Sequence, residues 1–340
     1  MERVLVTGGA GYVGSHAVKV LVQSGCAVTV YDNLSAGHGE AIEAIVTRTK
    51  APVTVVDGDV LDTARVREAL RESRADAVMH FAAWLSVGES VRDPTGYYRN
   101  NVGGTLSVLD AMRSERVGLF VFSSTAAVFG NPVKTPIDED HPKAPINAYG
   151  ETKLTIERAL PHYERAYGLR SVALRYFNAS GADPEGDLGE DHDPEIHLIP
   201  LAIAAATGGR PLTVFGDDYP TPDGTCLRDF VHVTDLADAH LLALRALESG
   251  APSGAYNLGN GRPISVRDVI AAVERVSDSR VAWSVGPRRD GDPAVLFASS
   301  ERIRRELGWK PRYESLDAIV ETAWRWHSRR PSGYRGKVRA

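Results

Sequence analysis

The stretch Arg3-Val4-Leu5-Val6-Thr7-Gly8-Gly9-Ala10-Gly11-Tyr12-Val13-Gly14 decides the fold. Val4, Leu5 and Val6 are a short apolar run of the kind buried on both faces of a parallel sheet, and glycines follow at once. Gly8, Gly11 and Gly14 have the spacing of a turn that bends tightly, lets the backbone approach a pyrophosphate, and lets a helix lie close to a strand. The spacing predicts that helix over Tyr12 to Gln23, with its amino-terminal dipole toward the phosphate.

The chain has 32 glycines, so this spacing needs support from its surroundings. A second apolar run, Ala27 to Tyr31, ends at Asp32-Asn33, where a carboxylate accepts hydrogen bonds from both hydroxyls of an adenosine ribose. A 2′-phosphate is repelled at such a position, so the expected dinucleotide is NAD rather than NADP. Asp32 as a helix cap is the competing reading. Further on, helices expected at 41–48 and 64–73 alternate with strands at 53–56 and 77–80. That alternation specifies an α/β fold, a doubly wound parallel sheet of Rossmann type. Asp59-Val60 follows the third strand at the carboxyl edge, either beside an adenine or as a turn.

Pro94 to Arg113 reads as one long helix, and Leu119 to Phe122 as a strand that delivers Ser123-Ser124-Thr125 to the sheet edge, as substrate contacts or as caps. Residues 131–145 read as a loop. A helix resumes near Ala148, and Ser171 to Phe177 is another strand. The Gly-, Asp- and Pro-rich passage beyond it marks entry into a second region. We therefore expect an NAD-binding domain over 1–178, with 230–250 added to it, and a smaller mixed α/β substrate domain over 179–340. That second region carries an expected helix at 199–207, strands at 212–215 and 230–233, a helix at 235–247, and a capping box formed by Ser265 and Asp268.

Tyr149 and Lys153 are four residues apart, so on a helix they share a face. A phenol is a poor base at neutral pH. A nearby ammonium and an oxidised nicotinamide both favour the phenolate, so Tyr149 becomes a candidate proton acceptor for a sugar hydroxyl, with Thr125 sharing the proton. An exposed helix on which the two residues are chance neighbours has the same spacing.

Composition narrows the classes further. A net charge of −5 with interspersed signs argues against a nucleic-acid partner. Two cysteines, Cys26 and Cys226, are too few for a disulfide scaffold or a Cys-rich metal site and suit a reducing cytoplasm. The sequence contains no run that reads as a signal peptide or membrane span. A cytoplasmic protein with no membrane partner and no metal is expected.

The glycine turn, Phe122-Ser-Ser-Thr125, Tyr149 with Lys153, and Arg175-Tyr-Phe-Asn178 together resemble the extended short-chain dehydrogenase/reductase family. His80-Phe-Ala-Ala83, Val87 to Ser90, Asn100 to Val102, Asp218 to Thr221, Asp223 to Thr225, Arg228 to Phe230 and Tyr256 to Gly259 narrow the resemblance to its UDP-glucose 4-epimerase branch. The resemblance implies inversion at C4 of a UDP-hexose through a 4-keto sugar, with NAD regenerated in each cycle. It implies that Gly8, Gly11, Tyr12, Val13 and Gly14, then Asp32, Asn33, Asp59 and Val60, hold NAD. The same role falls to Phe81, Ala82, Ala83 and Asn100, and to Ser123, Tyr149, Lys153 and Tyr176. For the UDP-sugar it implies Thr125, Tyr149, Asn178, His197 and Leu198, together with Phe215, Arg228, Arg289 and Asp292. The two arginines suit a diphosphate through paired planar donors. Homodimerisation through helices at 94–113 and 151–167 is implied in the same way.

Three positions depart from the family pattern. Leu85 stands where some members carry a cofactor-contacting Lys, His197 where some carry an Asn, and Leu296 where a bulky Tyr or a small Cys sets access for N-acetylated sugars. Ala126-Ala127 replace the acidic pair that follows the Thr in 4,6-dehydratases, so elimination lacks its acid and base. UDP-N-acetylglucosamine epimerisation, UDP-glucuronate decarboxylation and a non-catalytic NAD-binding regulator stand as alternatives.

Overall fold

Alternate residues of the same strands feed two different cores. Val4, Val6, Val28, Val30, Met79 and Val121 point to one face of the main sheet, and Leu5, Tyr31, Val78, Phe120 and Phe122 to the other. This period of two, with apolar residues at both phases, requires helices on both sides of the sheet.

The computed structural model describes residues 3–289 and 293–335. Strands β1 (Arg3–Thr7), β2 (Ala27–Asp32), β3 (Val53–Asp57), β4 (Ala77–His80), β5 (Leu119–Thr125) and β6 (Arg170–Tyr176) are joined by a late strand, Gly254–Leu258. All seven are parallel, in the order β3-β2-β1-β4-β5-β6 and then 254–258. The order reverses between β1 and β4, and a doubly wound sheet opens its ligand crevice at the carboxyl edge there. Helices Tyr12–Gln23, Gly39–Thr49 and Val233–Glu248 cover the first face; Thr63–Ser73, Gly104–Glu115 and Ala148–Tyr167 cover the second.

A third core, which includes Ile199, Ile203, Val214, Phe230, Val269, Val273 and Ile319, belongs to the smaller lobe. Its strand Phe230–His232 pairs in parallel with Asn178–Ser180, which carries the chain straight out of β6. Ser265 and Asp268 form the expected reciprocal cap on the helix Val266–Ser277.

The single helix expected over 94–113 is not continuous. Pro94–Tyr97 is one helical turn, Tyr98–Gly103 is a π-helical segment, and the α-helix restarts at Gly104. Asn101 explains the interruption: its side chain accepts from the Trp84 amide (2.9 Å) and donates to the Trp84 carbonyl (3.0 Å) and to Thr152 Oγ1 (3.2 Å). Those distant partners outweigh one regular α-helical turn, and π-bulges of this kind recur at functional sites.

Candidate active site

The glycine turn divides its labour. Gly8 has φ +69°, and a Cβ there falls 2.4 Å from the Ala82 amide nitrogen; a Cβ on Gly14 falls 2.1 Å from the Gly8 carbonyl oxygen. Both positions exclude a side chain by direct overlap with backbone. At Gly11 the nearest atom to a Cβ is 3.4 Å away, so that space is open to a ligand. Gly11 is also the N-cap of Tyr12–Gln23, and no side chain caps the helix. Its first amides, from Tyr12 onward, are therefore available to a pyrophosphate.

Asp32 ends β2 with both carboxylate oxygens engaged, Oδ2 by the Ala10 amide and Oδ1 by the Leu34 amide, each at 2.9 Å. It caps no helix: the N-cap of Gly39–Thr49 is His38. Burial raises the Asp32 carboxyl, and the two amides oppose that shift. Each oxygen keeps a lone pair for a ribose hydroxyl. Asn33 Nδ2 donates to Asp59 Oδ2 (3.1 Å), while Asp59 Oδ1 accepts from the Leu61 amide, so the turn role of Asp59 is present. Val60 is buried, and Phe81, Ala82 and Ala83 leave β4 half-buried. Tyr12 donates to the Gly181 carbonyl (2.6 Å), and Asn100 Nδ2 donates to Asn101 Oδ1 (3.0 Å). Together, open space at Gly11, uncapped helix amides and a carboxylate at the second strand end fit a dinucleotide.

Around the end of β5 the chemistry-bearing groups converge. Asn147 caps the helix Ala148–Tyr167 by accepting from the Gly150 amide, which sets Tyr149 in the first turn and Lys153 one turn later. Lys153 is buried and donates to the Ser123 carbonyl (2.9 Å), with its nitrogen 6.0 Å from the centre of the Tyr149 ring. The Thr125 hydroxyl lies close enough to the Tyr149 phenol to favour its ionised form, and it also accepts from the Ala127 amide (3.1 Å), so the cap role read from the sequence is present. The Ser123 and Tyr176 hydroxyls are 2.6 Å apart.

The electrostatics differ from expectation at one point. Burial holds the Tyr149 phenol above its ordinary value, and the neighbouring Thr125 hydroxyl opposes that shift. Burial also pushes Lys153 down to about 7, with Glu157 pulling the other way. The same dry surroundings thus penalise the charged forms of both the phenol and the ammonium.

The expected substrate residues belong to the smaller lobe and its junction with the sheet. Asn178 donates through its amide and its Nδ2 to the Asp229 carbonyl, at 3.0 and 2.8 Å. Arg228 lies on a strand between Ile264-Ser265 and Val295-Leu296, directly opposite Leu296. The Arg289 guanidinium stacks 3.9 Å over the Phe215 ring. His197 precedes the helix Leu198–Ala206 and meets Glu190, which outweighs the effect of burial and holds the imidazole above its usual range. Leu85 is exposed, and Leu296 packs against the cluster around Phe129. Asp292 lies outside the described residues.

Sequence reasoning missed the group behind the helix that carries Tyr149 and Lys153. Glu157, one turn beyond Lys153, pairs with Arg175 on β6 (2.5–3.1 Å) and accepts from Ser124 (2.5 Å), with both charged side chains almost fully buried. The four-residue step from Lys153 to Glu157 was its only trace in the sequence.

The profile described as the NAD dependent epimerase/dehydratase family matches residues 4–259. A UDP-glucose 4-epimerase of Halalkalibacterium halodurans is 49% identical over 332 residues, covering 97% of each chain. Among solved structures, the UDP-glucose 4-epimerase of Brucella ovis in complex with NAD superposes with a TM-score of 0.91 at 50% identity, over 95% of this chain and 98% of that one. The Bifidobacterium longum enzyme in complex with NAD+ and UDP gives 0.92 at 38% identity, over 97% and 99%. With that family's profile matching residues 4–259 and relatives about half identical along nearly the whole chain, the protein belongs to the NAD dependent epimerase/dehydratase family.

Proposed function

We propose that this protein interconverts UDP-galactose and UDP-glucose by inverting C4 of the hexose through a 4-keto sugar, with NAD as its resident cofactor. The observation that carries the reading is the convergence of Thr125, Tyr149 and Lys153 at the end of β5, one strand from the crevice where the sheet order reverses. NAD, held by the glycine turn and Asp32, supplies the two-electron acceptor and donor that C4 requires. Tyr149 takes the C4 hydroxyl proton, Thr125 shares it by hydrogen bonding, and the same pair returns it after the keto sugar presents its other face. Lys153 holds the Ser123 carbonyl and adds positive charge beside the phenol when protonated. Arg228 and Arg289 hold the diphosphate, while Asn178, His197, Leu198 and Phe215 contact the nucleotide sugar. The buried 3₁₀ turn that begins with Ala126-Ala127 offers no side-chain acid or base for elimination.

We assign NAD binding to residues 1–178 with 230–250, and substrate binding chiefly to 179–340. We further propose a cytoplasmic homodimer paired through the helices at 94–113 and 151–167. Exposed Tyr167, stacked by Arg113 at 5.4 Å, supports that surface. Among the described residues no helix is long and apolar enough to cross a membrane.

Two measurements on purified protein test the reading: identification of the nucleotide released on denaturation, and coupled detection of UDP-glucose formed from UDP-galactose. Retained NAD with no turnover of this sugar pair overturns the substrate assignment. Light scattering that gives one chain per particle overturns the dimer.

A further inference from the structure

The passage that leads into the helix Leu198–Ala206 carries a second convergence of chemistry-bearing side chains. Glu190, His192, Glu195 and His197 fall within eight residues, and one ligand-type atom from each lies within 4.8 Å of all the others. Glu190 Oε1 is the hub. His192 Nδ1 is 3.2 Å from it, His197 Nδ1 lies against it, and Glu195 Oε1 is 3.8 Å from both imidazole nitrogens. Glu190 is only 3% exposed. The His192 Nδ1 atom is buried beside these carboxylates yet makes no hydrogen bond of ordinary geometry.

We propose that Glu190, His192, Glu195 and His197 bind one divalent transition-metal ion, with Zn2+ the best match to the donor set. Two imidazole nitrogens and two carboxylate oxygens supply four ligands, the number zinc prefers, and two carboxylates neutralise a divalent charge while the imidazoles bind in their neutral form. Mg2+ and Ca2+ select oxygen donors, and the two nitrogens disfavour them.

The loop that carries these four residues is held from outside. Trp326 Nε1 donates to the Glu190 carbonyl (3.2 Å), the Tyr334 amide donates to Asp191 Oδ2 (2.8 Å), and His38 Nε2 is 2.9 Å from the Asp191 carbonyl. The acidic group at Asp183, Glu185 and Asp187 differs, because Lys19 already lies among all three carboxylates at 2.6–3.5 Å. Position gives the ion a structural task. His192 sets its ring edge-on to Tyr12 (centroids 6.2 Å apart), and His197 precedes the helix Leu198–Ala206. The ion therefore clips the start of the dinucleotide helix to the smaller lobe.

The test uses the untagged full-length protein, stripped with chelator and then titrated with ZnCl2 or CoCl2, with MgCl2 as the reference. One Zn2+ per chain by calorimetry and by elemental analysis after gel filtration is expected. So are a raised melting temperature and visible Co2+ absorption from nitrogen ligation, all lost in His192→Gln and in His197→Gln. Glu195→Gln, whose side chain is more exposed than that of Glu190, provides a third variant if a histidine variant does not fold. Wild-type protein that takes up no Zn2+ above buffer overturns the assignment. So do folded variants that bind Zn2+ as tightly as wild type, or a preference for Mg2+.

Discussion

Replacing Glu157 by Gln strands a buried guanidinium, and the cost follows from the geometry. Arg175 donates to Glu157 through both Nε and Nη2, Ser124 donates a further bond, and the two charged side chains are only 5% and 6% exposed. Breaking a buried pair from one side costs about 3–5 kcal/mol, because the surviving charge is left without compensation. An unfolding entropy near 2.1 cal/mol/K per residue over 340 residues is about 0.7 kcal/mol/K, so the expected fall in melting temperature is roughly 4–7 °C. The paired variant Glu157→Met with Arg175→Met removes both charges of the pair and keeps similar volume. Its expected loss is about 1 kcal/mol, mainly from the Ser124 hydroxyl losing its acceptor. Thermal denaturation of wild type, Glu157→Met, Arg175→Met and the double variant forms a complete cycle, with Glu157→Gln as the isosteric control. Single variants that melt within about 1 °C of wild type, or a double variant whose loss equals the sum of the singles, refute the argument. Because Glu157 also opposes the downward shift of Lys153, Glu157→Gln links this packing to the site.

Tyr149→Phe removes the proton acceptor and is expected to lower kcat/KM for UDP-galactose by about 10²–10⁴-fold while the protein still releases NAD on denaturation; unaltered turnover refutes the assignment. Lys153, with its folded value depressed to about 7 against 10.5 for the free side chain, binds fewer protons folded than unfolded between those limits. Its contribution to stability therefore grows as pH rises from about 7 toward 10, and urea denaturation of Lys153→Met should lack that rise. Gly14→Ala drives a Cβ to 2.1 Å from the Gly8 carbonyl and should cost at least about 1–3 kcal/mol. Gly11→Ala, with 3.4 Å of clearance, should fold normally yet retain less NAD; equal NAD content in Gly11→Ala and wild type contradicts the open space assigned to the phosphates.

Much of the fold was legible because its signals are local. The apolar runs before Gly8 and Asp32 and the glycine spacing act through neighbours in the chain, and the helix Tyr12–Gln23 has the bounds its sequence predicts. Tyr149 and Lys153 announced themselves by a four-residue step. Tertiary contacts decided the rest. Asn101 reaches Trp84 and Thr152 and turns an expected regular helix into a π segment. Gly254–Leu258, too short and mixed to declare itself, becomes the seventh strand only because β6 offers an open edge. The pairing of Glu157 with Arg175 and the depressed basicity of Lys153 likewise depend on which distant segments share one dry volume. Periodicity and turn chemistry are written in adjacent residues, so sequence alone determined the first six strands of the main sheet, most of the helices that wrap it and the dinucleotide turn. Desolvation and the choice of partner arise only when remote segments meet, so the folded chain decided the protonation energetics and the supports of the site.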